Sequence, residues 1–285
     1  MTRRLNPSRI GIYLLLVLFA AIFLIPVYVL VVSGLKPFAE VENMSRMWLP
    51  PIAPTLQSFS DAWSGIAEKG IKGLGQNLLN SVYLTIPATI LSSILGSLNG
   101  YVLAKWKFRG ANIIFPLMLF GMFIPYQSIL IPMTQTLARI HLGGTLWGLI
   151  LVHVVYGLPI TTLIFRNYYA EIPTDLVEAA RIDGAGILGV YFRVLFPLSL
   201  PGFVVVIIWQ FTNIWNEFLF GASFSDYSSF PITVALNNLV NSSTGVKEYN
   251  VHFAGAFIAA IPTLVVYLLS GKYFVRGLMA GSVKG

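Results

Sequence analysis

Residues 178–189 read EAARIDGAGILG, and the two halves of this stretch point to different proteins. The second half, GAGILG at 184–189, matches the G-x-G-x-x-G pattern of dinucleotide-binding folds. That pattern requires a buried strand before it and an acidic residue about 20 positions after it. Here a charged, helix-patterned segment precedes it, and no Asp or Glu follows Asp183 until Glu217. We therefore interpret the stretch from its first half.

The composition around this stretch is that of a membrane protein. Of the 285 residues, 56% are hydrophobic and only 10% are charged, and the mean hydropathy is +0.77. A helix needs roughly 20 apolar residues to cross the hydrocarbon core of a bilayer. Segments of this kind predict an all-α membrane protein with six transmembrane helices. They lie near 10–34, 79–104, 111–135, 145–165, 202–224 and 253–274.

The distribution of Lys and Arg predicts the orientation of these helices. Alternate connecting segments carry twelve and six basic residues, and the richer set is expected in the cytoplasm. The N-terminal segment 1–9, the loop 166–201 and the tail 279–285 are therefore predicted to be cytoplasmic. The loops 35–78 and 225–252 are predicted to face outside. The net charge of +7 reflects this bias and does not require a nucleic-acid partner.

The cytoplasmic loop that contains the opening stretch divides into two short helices. Thr174 or Asp175 can cap the first helix, and the pair Gly184 and Gly186 ends it. The second helix, ILGVYFRVLF, is predicted to stop at Pro197 because proline cannot continue a helix. The local prediction is a helix–turn–helix on the inner surface of the membrane.

The spaced pattern E-A-A-R-I-D-G-A over 178–185, with Arg193 and Pro197 after it, resembles the EAA loop of permease subunits of bacterial ATP-binding-cassette importers. The resemblance is to the maltose-type carbohydrate class and extends over nearly the whole chain. It includes the six spans, the position of the loop between the fourth and fifth, and the basic C-terminal GLMAGSVKG. It implies the type I ABC importer permease fold, with a transmembrane permease domain over 10–278.

The resemblance also implies partners and a coupling site. In that family a short helix of this loop docks in a groove of the ATPase subunit and transmits its movement. The coupling residues would be Glu178, Ala179, Ala180, Asp183, Gly184 and Ala185. The implied partners are a second permease subunit in a heterodimer, two ATPase subunits and an extracytoplasmic sugar-binding protein, in the inner membrane of a prokaryote. This chain is expected to bind no cofactor and to be no enzyme, because ATP and Mg would be held by the ATPase subunits.

A second polar site lies in the fifth predicted span, in IIWQFTNIWNEFLFG. Gln210, Asn213 and Glu217 fall at i, i+3 and i+7, so one helical face would carry two amides and a carboxylate. Such groups suit a sugar path, but they also suit hydrogen bonds that hold a helix bundle together. Further candidates for the path are Asn216 in the same span and Tyr126 and Gln127 in the third.

No catalytic or metal-binding pattern accompanies these sites. The chain has no cysteine, and its three histidines, His141, His153 and His252, are too scattered to suggest a metal site. An ion-coupled secondary transporter or channel acting without an ATPase is the main alternative. It would favour several carboxylates within the spans, whereas Glu217 is the only one there. A membrane-embedded enzyme has no catalytic constellation to support it.

The resemblance extends to the substrate class. The stretches IPYQSILIPM at 124–133, HVVYGLPITTLIFRNYYAEIP at 153–173 and NNLVNSSTGVKEYNV at 237–251 look most like the glucose/mannose subgroup. A monosaccharide of that type is therefore the expected cargo. The outside region 226–250 corresponds to the part that contacts the solute-binding protein in this family.

Overall fold

The computed structural model describes residues 7–106, 108–241 and 247–280, with side chains from Arg9 to Ser270 outside the two gaps. Most of the predicted N-terminal segment 1–9 and of the tail 279–285 lies outside the described residues. Within them the chain is mostly helical, and the two short strands β1 (Gly65–Ile66) and β2 (Ile71–Lys72) pair as an antiparallel hairpin.

The α-helices follow one another with short connections. They are α1 Pro7–Gly34, α2 Phe38–Val41, α3 Gln57–Ser64, α4 Gly75–Lys105, α5 Ala111–Phe120, α6 Leu130–Arg139, α7 Leu146–Glu171, α8 Thr174–Ile182, α9 Ile187–Val190, α10 Phe196–Leu198, α11 Leu200–Asn216, α12 Leu219–Phe224, α13 Ile232–Asn241 and α14 Tyr249–Ala280. Short 3₁₀ turns occupy Met44–Arg46, Ala67–Lys69, Gly121–Phe123 and Tyr126–Ile129, and a π turn occupies Tyr191–Leu195.

Four of the described helices, α1, α4, α7 and α14, contain apolar stretches long enough to cross a membrane alone. Two bent pairs of helices add up to two further spans if each pair is counted as one. The pair Ala111–Phe123 and Tyr126–Arg139 bends by 95°, and the pair Ile187–Leu198 and Leu200–Asn216 bends by 79°. Four to six spans therefore result, which confirms the predicted class of all-α membrane protein.

The third predicted span, 111–135, is not one continuous helix. Its first helix ends at Phe120, and the backbone is extended at Ile124 (ψ 121°), immediately before Pro125. Proline disfavours the helical conformation in the residue before it and has no N–H to donate. The chain turns at this point, and α6 begins only at Leu130.

The fifth predicted span, 202–224, is also interrupted. Helix α11 ends at Asn216, and Glu217 has an extended backbone (ψ 128°) before α12 begins. The prediction that Glu217 continues the helical face of Gln210 and Asn213 is therefore wrong. The carboxylate lies at a break between two helices, where peptide N–H groups have no partner within a helix.

The described residues form two compact units. One comprises the residues up to Gly75 together with Leu236–Ile261, and the other comprises Gln76–Ala235 and the residues from Pro262 onward. In the first unit the Lys36 ammonium is buried and donates to the carbonyl of Arg46 over 2.7 Å. Because buried charges require partners, this contact fixes the loop after α1.

The second unit has two apolar cores. One is formed by Leu84, Ala88, Leu137, Leu149, Ile150, Val152, Val154, Ile214, Phe220 and Phe224. The other is formed by Tyr101, Phe165, Tyr169, Val177, Val190, Tyr191, Leu195, Phe203 and Val206. Helices α4 and α7 pack closely in this unit because Gly96 and Gly100 of α4 lie against Thr161 and Arg166 of α7.

Candidate functional site

The predicted coupling site lies on α8, a nine-residue helix that we call the coupling helix, within the coupling loop 166–201. The helix begins at Thr174, and Pro173 is its N-cap residue without a side-chain capping bond. The predicted capping by Thr174 or Asp175 is therefore wrong, because both residues already lie within the first turn. The Asp175 carboxylate still lies near the positive end of the helix, where it is favourable.

The coupling helix ends in a hydrogen-bonded C-terminal motif that requires one glycine. The N–H of Ala185 donates to the carbonyl of Ala180 over 2.9 Å, and the N–H of Gly184 donates to the carbonyl of Arg181 over 3.0 Å. These two bonds form the Schellman pattern. Gly184 has φ +84°, a conformation that residues with a Cβ adopt only at a cost. Gly186 has φ −71°, which any residue can adopt. Of the two glycines that imitate the nucleotide pattern, only Gly184 is required by the backbone.

The six predicted coupling residues divide between two faces of the loop. Glu178, Ala179, Asp183 and Gly184 are exposed, whereas Ala180 and Ala185 are half-buried against the second apolar core. Ala180 and Ala185 occupy the two positions that the Schellman motif commonly brings into contact. Their small size thus serves packing inside this chain.

The exposed face of the coupling helix is partly apolar. Ile182 is 86% exposed and Leu176 is 44% exposed, on the same helix as Glu178 and Asp183. On its inner side the helix is anchored by Val177, which is 1% exposed. The helix therefore presents two carboxylates and two large apolar side chains away from its own core.

A network of buried hydroxyl groups lies beneath the coupling loop. Ser97 Oγ is 2.6 Å from the Tyr169 hydroxyl and accepts from the Tyr191 hydroxyl over 2.9 Å. The Tyr169 hydroxyl also donates to Ser199 Oγ over 3.0 Å. Each hydroxyl group of this network therefore has a hydrogen-bond partner, as burial in an apolar core requires. Sequence reasoning missed this network, which joins α4, α7 and the segment after α8.

A cavity of about 370 Å³ lies between α7, α11 and the two helix breaks. Its lining includes Tyr126, Gln210, Asn213 and Glu217 from the predicted path. The remaining lining residues are Met122, His153, Tyr156, Gly157, Ile160, Trp209, Ile214 and Phe220. The structure thus brings four of the six predicted residues to one cavity.

The other two predicted path residues lie elsewhere. Asn216 is exposed, and its amide donates to the carbonyl of Thr212 in its own helix over 2.9 Å. Gln127 is exposed in the turn after the third-span break. Neither is among the residues that line the cavity.

The polar residues of the cavity have different surroundings. Gln210 is 3% exposed and donates to Ser92 Oγ over 2.9 Å, so its amide joins α11 to α4. The Glu217 carboxylate accepts from the N–H of Phe220 at 2.8 and 2.9 Å, so it holds the first turn of α12. Asn213, by contrast, is exposed on the cavity side.

An aromatic wall closes one side of the cavity. The Phe220 ring meets Tyr126 (5.6 Å), Tyr156 (5.2 Å) and His153 (5.6 Å), each in an edge-to-face arrangement. The sequence contains a signal for this wall, since His153 and Tyr156 lie three residues apart on one face of α7. Among the described residues, no group of three His, Asp or Glu side chains could hold a metal ion.

Residues 92–278 match the family described as binding-protein-dependent transport system inner membrane component. This range contains both the coupling loop and the residues that line the cavity. The chain belongs to this family. It is therefore an inner-membrane permease subunit of an ABC importer and not an enzyme, since the ATPase is a separate subunit. The family also implies an ATPase and a substrate-binding protein as partners.

Relatives of this permease match over almost their full length. A probable ABC transporter permease of Pyrococcus horikoshii is 41% identical, over 99% of this chain and 100% of the relative. The xylose/arabinose import permease XacI of Haloferax volcanii is 34% identical, over 96% of this chain and 93% of the relative.

The fold of this permease also matches a solved structure. A chain in the crystal structure of a bacterial ABC transporter that imports the acidic polysaccharide alginate superposes with a TM-score of 0.78. The match covers 96% of this chain and 100% of that chain, at 22% identity. The structural match and the family match together confirm the importer permease fold, and they do not favour an ion-coupled transporter that works alone.

Proposed function

We propose that this permease imports a monosaccharide, with glucose/mannose-type sugars as the first candidates. The similarity to a permease that imports xylose and arabinose supports a small sugar as cargo. The cavity supports the same class, because about 370 Å³ is within the size range of small-molecule sites. Its wall combines the rings of Trp209 and Tyr126, which suit the apolar faces of a sugar, with the Asn213 amide, which suits its hydroxyl groups.

The observation that supports the mechanism is the difference between the two faces of the coupling helix. Its outer face is exposed, and its inner face packs in the core of this chain. Glu178 and Asp183 would accept hydrogen bonds from the ATPase subunit, while Leu176 and Ile182 would fill an apolar groove on it. Two ATPase subunits would hold ATP and Mg²⁺. Their closure would move the coupling loop and tilt the spans between inward-open and outward-open states.

We propose the remaining subunits from the family to which the chain belongs. A second permease subunit would complete the translocation path as a heterodimer. The sugar-binding protein would dock on the outside region 226–250, of which residues 242–246 lie outside the described part of the chain. Both termini would then be cytoplasmic, on the side of the ATPase subunits.

Reconstitution of the complete importer in liposomes tests this proposal. We expect uptake of labelled glucose or mannose. This uptake should require ATP on the side of the membrane that holds the ATPase subunits, and the loaded binding protein on the opposite side. The variant Glu178→Lys should abolish uptake and release the ATPase subunit. Glu171→Lys, an exposed carboxylate outside the coupling helix, is the matched control. Uptake that ignores ATP hydrolysis would refute the importer mechanism, and uptake of oligosaccharides alone would refute the monosaccharide assignment.

A further inference from the structure

The cytoplasmic end of α4 contacts both ends of the coupling helix. The Lys105 ammonium donates to the carbonyl of Ile172 over 2.5 Å, two residues before the helix begins. The ring of Trp106 packs against Arg181, whose guanidinium carbon lies 3.9 Å from the ring centroid. Arg181 is the penultimate residue of the coupling helix. Lys105, the last residue of α4, and Trp106, which follows it, therefore hold the loop on both sides of its docking surface.

A third contact holds the chain beyond the coupling helix. The Tyr101 hydroxyl donates to the carbonyl of Ile187 over 3.1 Å, at the first residue of α9. The Tyr101 ring also stacks on Tyr191 with centroids 5.7 Å apart. The Tyr101 side chain is completely buried, so it reaches the exposed start of α9 from inside the protein.

The chemistry of these contacts suits the transmission of a movement. A guanidinium stacked on an indole is held by the ring quadrupole and by planar contact, and it is stronger when partly desolvated. The Lys105 ammonium at the carbonyl of Ile172 is a charge-assisted bond at the C-terminal end of α7, where a cation is favoured. Val177 is fixed in the core between these points. The coupling loop is thereby attached to α4 at several points and not by one hinge.

The same helix continues from the coupling loop to the cavity. Ser97 of α4 bonds the hydroxyls of Tyr169 and Tyr191. Five residues nearer the N-terminus of α4, Ser92 accepts the hydrogen bond of the cavity residue Gln210. Helix α4 therefore connects the coupling loop with the cavity wall through direct contacts, although α7 and α11 are the spans that flank the loop in sequence.

We propose that α4 transmits the movement of the coupling loop to the substrate cavity. The stacked pair of Trp106 and Arg181, which we call the grip, positions the coupling loop on the end of α4. The inference rests on the proposed function, because it presupposes that the ATPase moves the coupling loop. Arg181 acts here through Trp106 within the permease and not through contact with the ATPase.

The test measures the coupling between transport and ATP hydrolysis in the reconstituted importer. We compare Trp106→Leu, Arg181→Gln and the double variant for sugar taken up per ATP hydrolysed, with the loaded binding protein present. Each single variant should lower this ratio several-fold while ATP hydrolysis continues. The double variant should be no worse than either single one, because both remove the same contact. Trp106→Phe, which keeps a ring, should retain most of the ratio.

Arg139→Gln is the matched control, since Arg139 is an exposed arginine at the end of α6, outside the coupling loop. Each contrary result would overturn the inference. An unchanged ratio in both single variants would show that the grip does not transmit movement. Loss of the ATPase subunit from Arg181→Gln alone would show that Arg181 contacts the ATPase directly. Absence of ATP-dependent uptake in the unmodified importer would refute the proposed function, which separates the two failures.

Discussion

At the scale of single residues, the glycines of α4 determine how closely two spans approach. A Cβ at Gly96 would lie 2.1 Å from Thr161 Oγ1, and one at Gly100 would lie 2.7 Å from the backbone nitrogen of Arg166. Real side chains do not tolerate such distances, so α4 and α7 can pack in this way only without side chains at these positions. The spacing Gly96-x-x-x-Gly100 is the small-residue pattern common in membrane helix pairs.

We predict that Gly100→Ala destabilises the permease because the added methyl group meets backbone that cannot move aside. Overpacking of this kind costs about 1–3 kcal/mol. A lower melting temperature of the purified subunit should report the loss. Gly11→Ala in α1 is the control, because no atom lies within 4 Å of a Cβ there. Equal melting temperatures for the two variants would contradict the close α4–α7 packing.

The two glycines of the opening stretch make a second matched pair. Gly184→Ala places a side chain in the left-handed region, which costs about 1–2 kcal/mol, whereas Gly186→Ala requires no change of backbone. Neither position has an atom within 4 Å of an added Cβ, so contacts do not confuse the comparison. We expect Gly184→Ala alone to weaken retention of the ATPase subunit during purification. Equal retention in both variants would argue against a strained corner at Gly184.

At the scale of elements, the cavity exists because two spans are broken. Pro125 interrupts the third span and places Tyr126 at a turn. The fifth span breaks at Glu217, whose carboxylate replaces the missing helical partners of α12. Broken helices are tolerated in a membrane where the irregular backbone lines a cavity or is buried in protein. The breaks therefore turn three packed spans into the walls of a cavity.

Replacing each of two amide side chains of α11 by alanine is predicted to affect the permease in different ways. Gln210→Ala removes the hydrogen bond between α11 and Ser92, whose hydroxyl still donates to the carbonyl of Ala88. The loss costs about 0.5–1.5 kcal/mol and should lower the melting temperature. Asn213→Ala should leave the melting temperature unchanged and raise the KM of uptake by about 2- to 10-fold, as expected for one hydrogen bond to a sugar. Uptake kinetics unaffected by Asn213→Ala would remove Asn213 from the sugar path.

At the scale of the whole molecule, the orientation in the membrane can be tested directly, because the chain has no cysteine. Met44 in the predicted outside loop is 90% exposed, and Ile182 in the coupling loop is 86% exposed. A membrane-impermeant maleimide should label Met44→Cys on intact cells. It should label Ile182→Cys only in inside-out vesicles stripped of ATPase subunits. The reverse pattern would overturn the predicted topology.

Much of this molecule could be predicted because its strongest signals are local. The length of each apolar run predicted the spans, and the pair Gly184 and Gly186 predicted where the short helix α8 ends. The errors concern the ends of helices, where hydropathy and spacing do not determine which residue satisfies the free N–H groups. Glu217 lies in a helical pattern, but its carboxylate caps α12, the helix that follows the break, and Pro173 replaces Thr174 and Asp175 as the N-cap residue of α8. Tyr156 was overlooked and His153 was considered only as a metal ligand, because an aromatic pair on an apolar helix resembles ordinary core.

The sequence by itself determined that the chain is a multi-span membrane protein of the importer permease family, because hydropathy and a spaced motif are properties of consecutive residues. Only the tertiary structure decided which polar groups join helices and which face the cavity. Gln210 and Asn213 are both amides on one helix, yet Ser92 on a different helix fixes the first and not the second. The grip of Trp106 on Arg181 is likewise invisible in sequence, since 75 positions separate two residues that the folded chain brings to 3.9 Å.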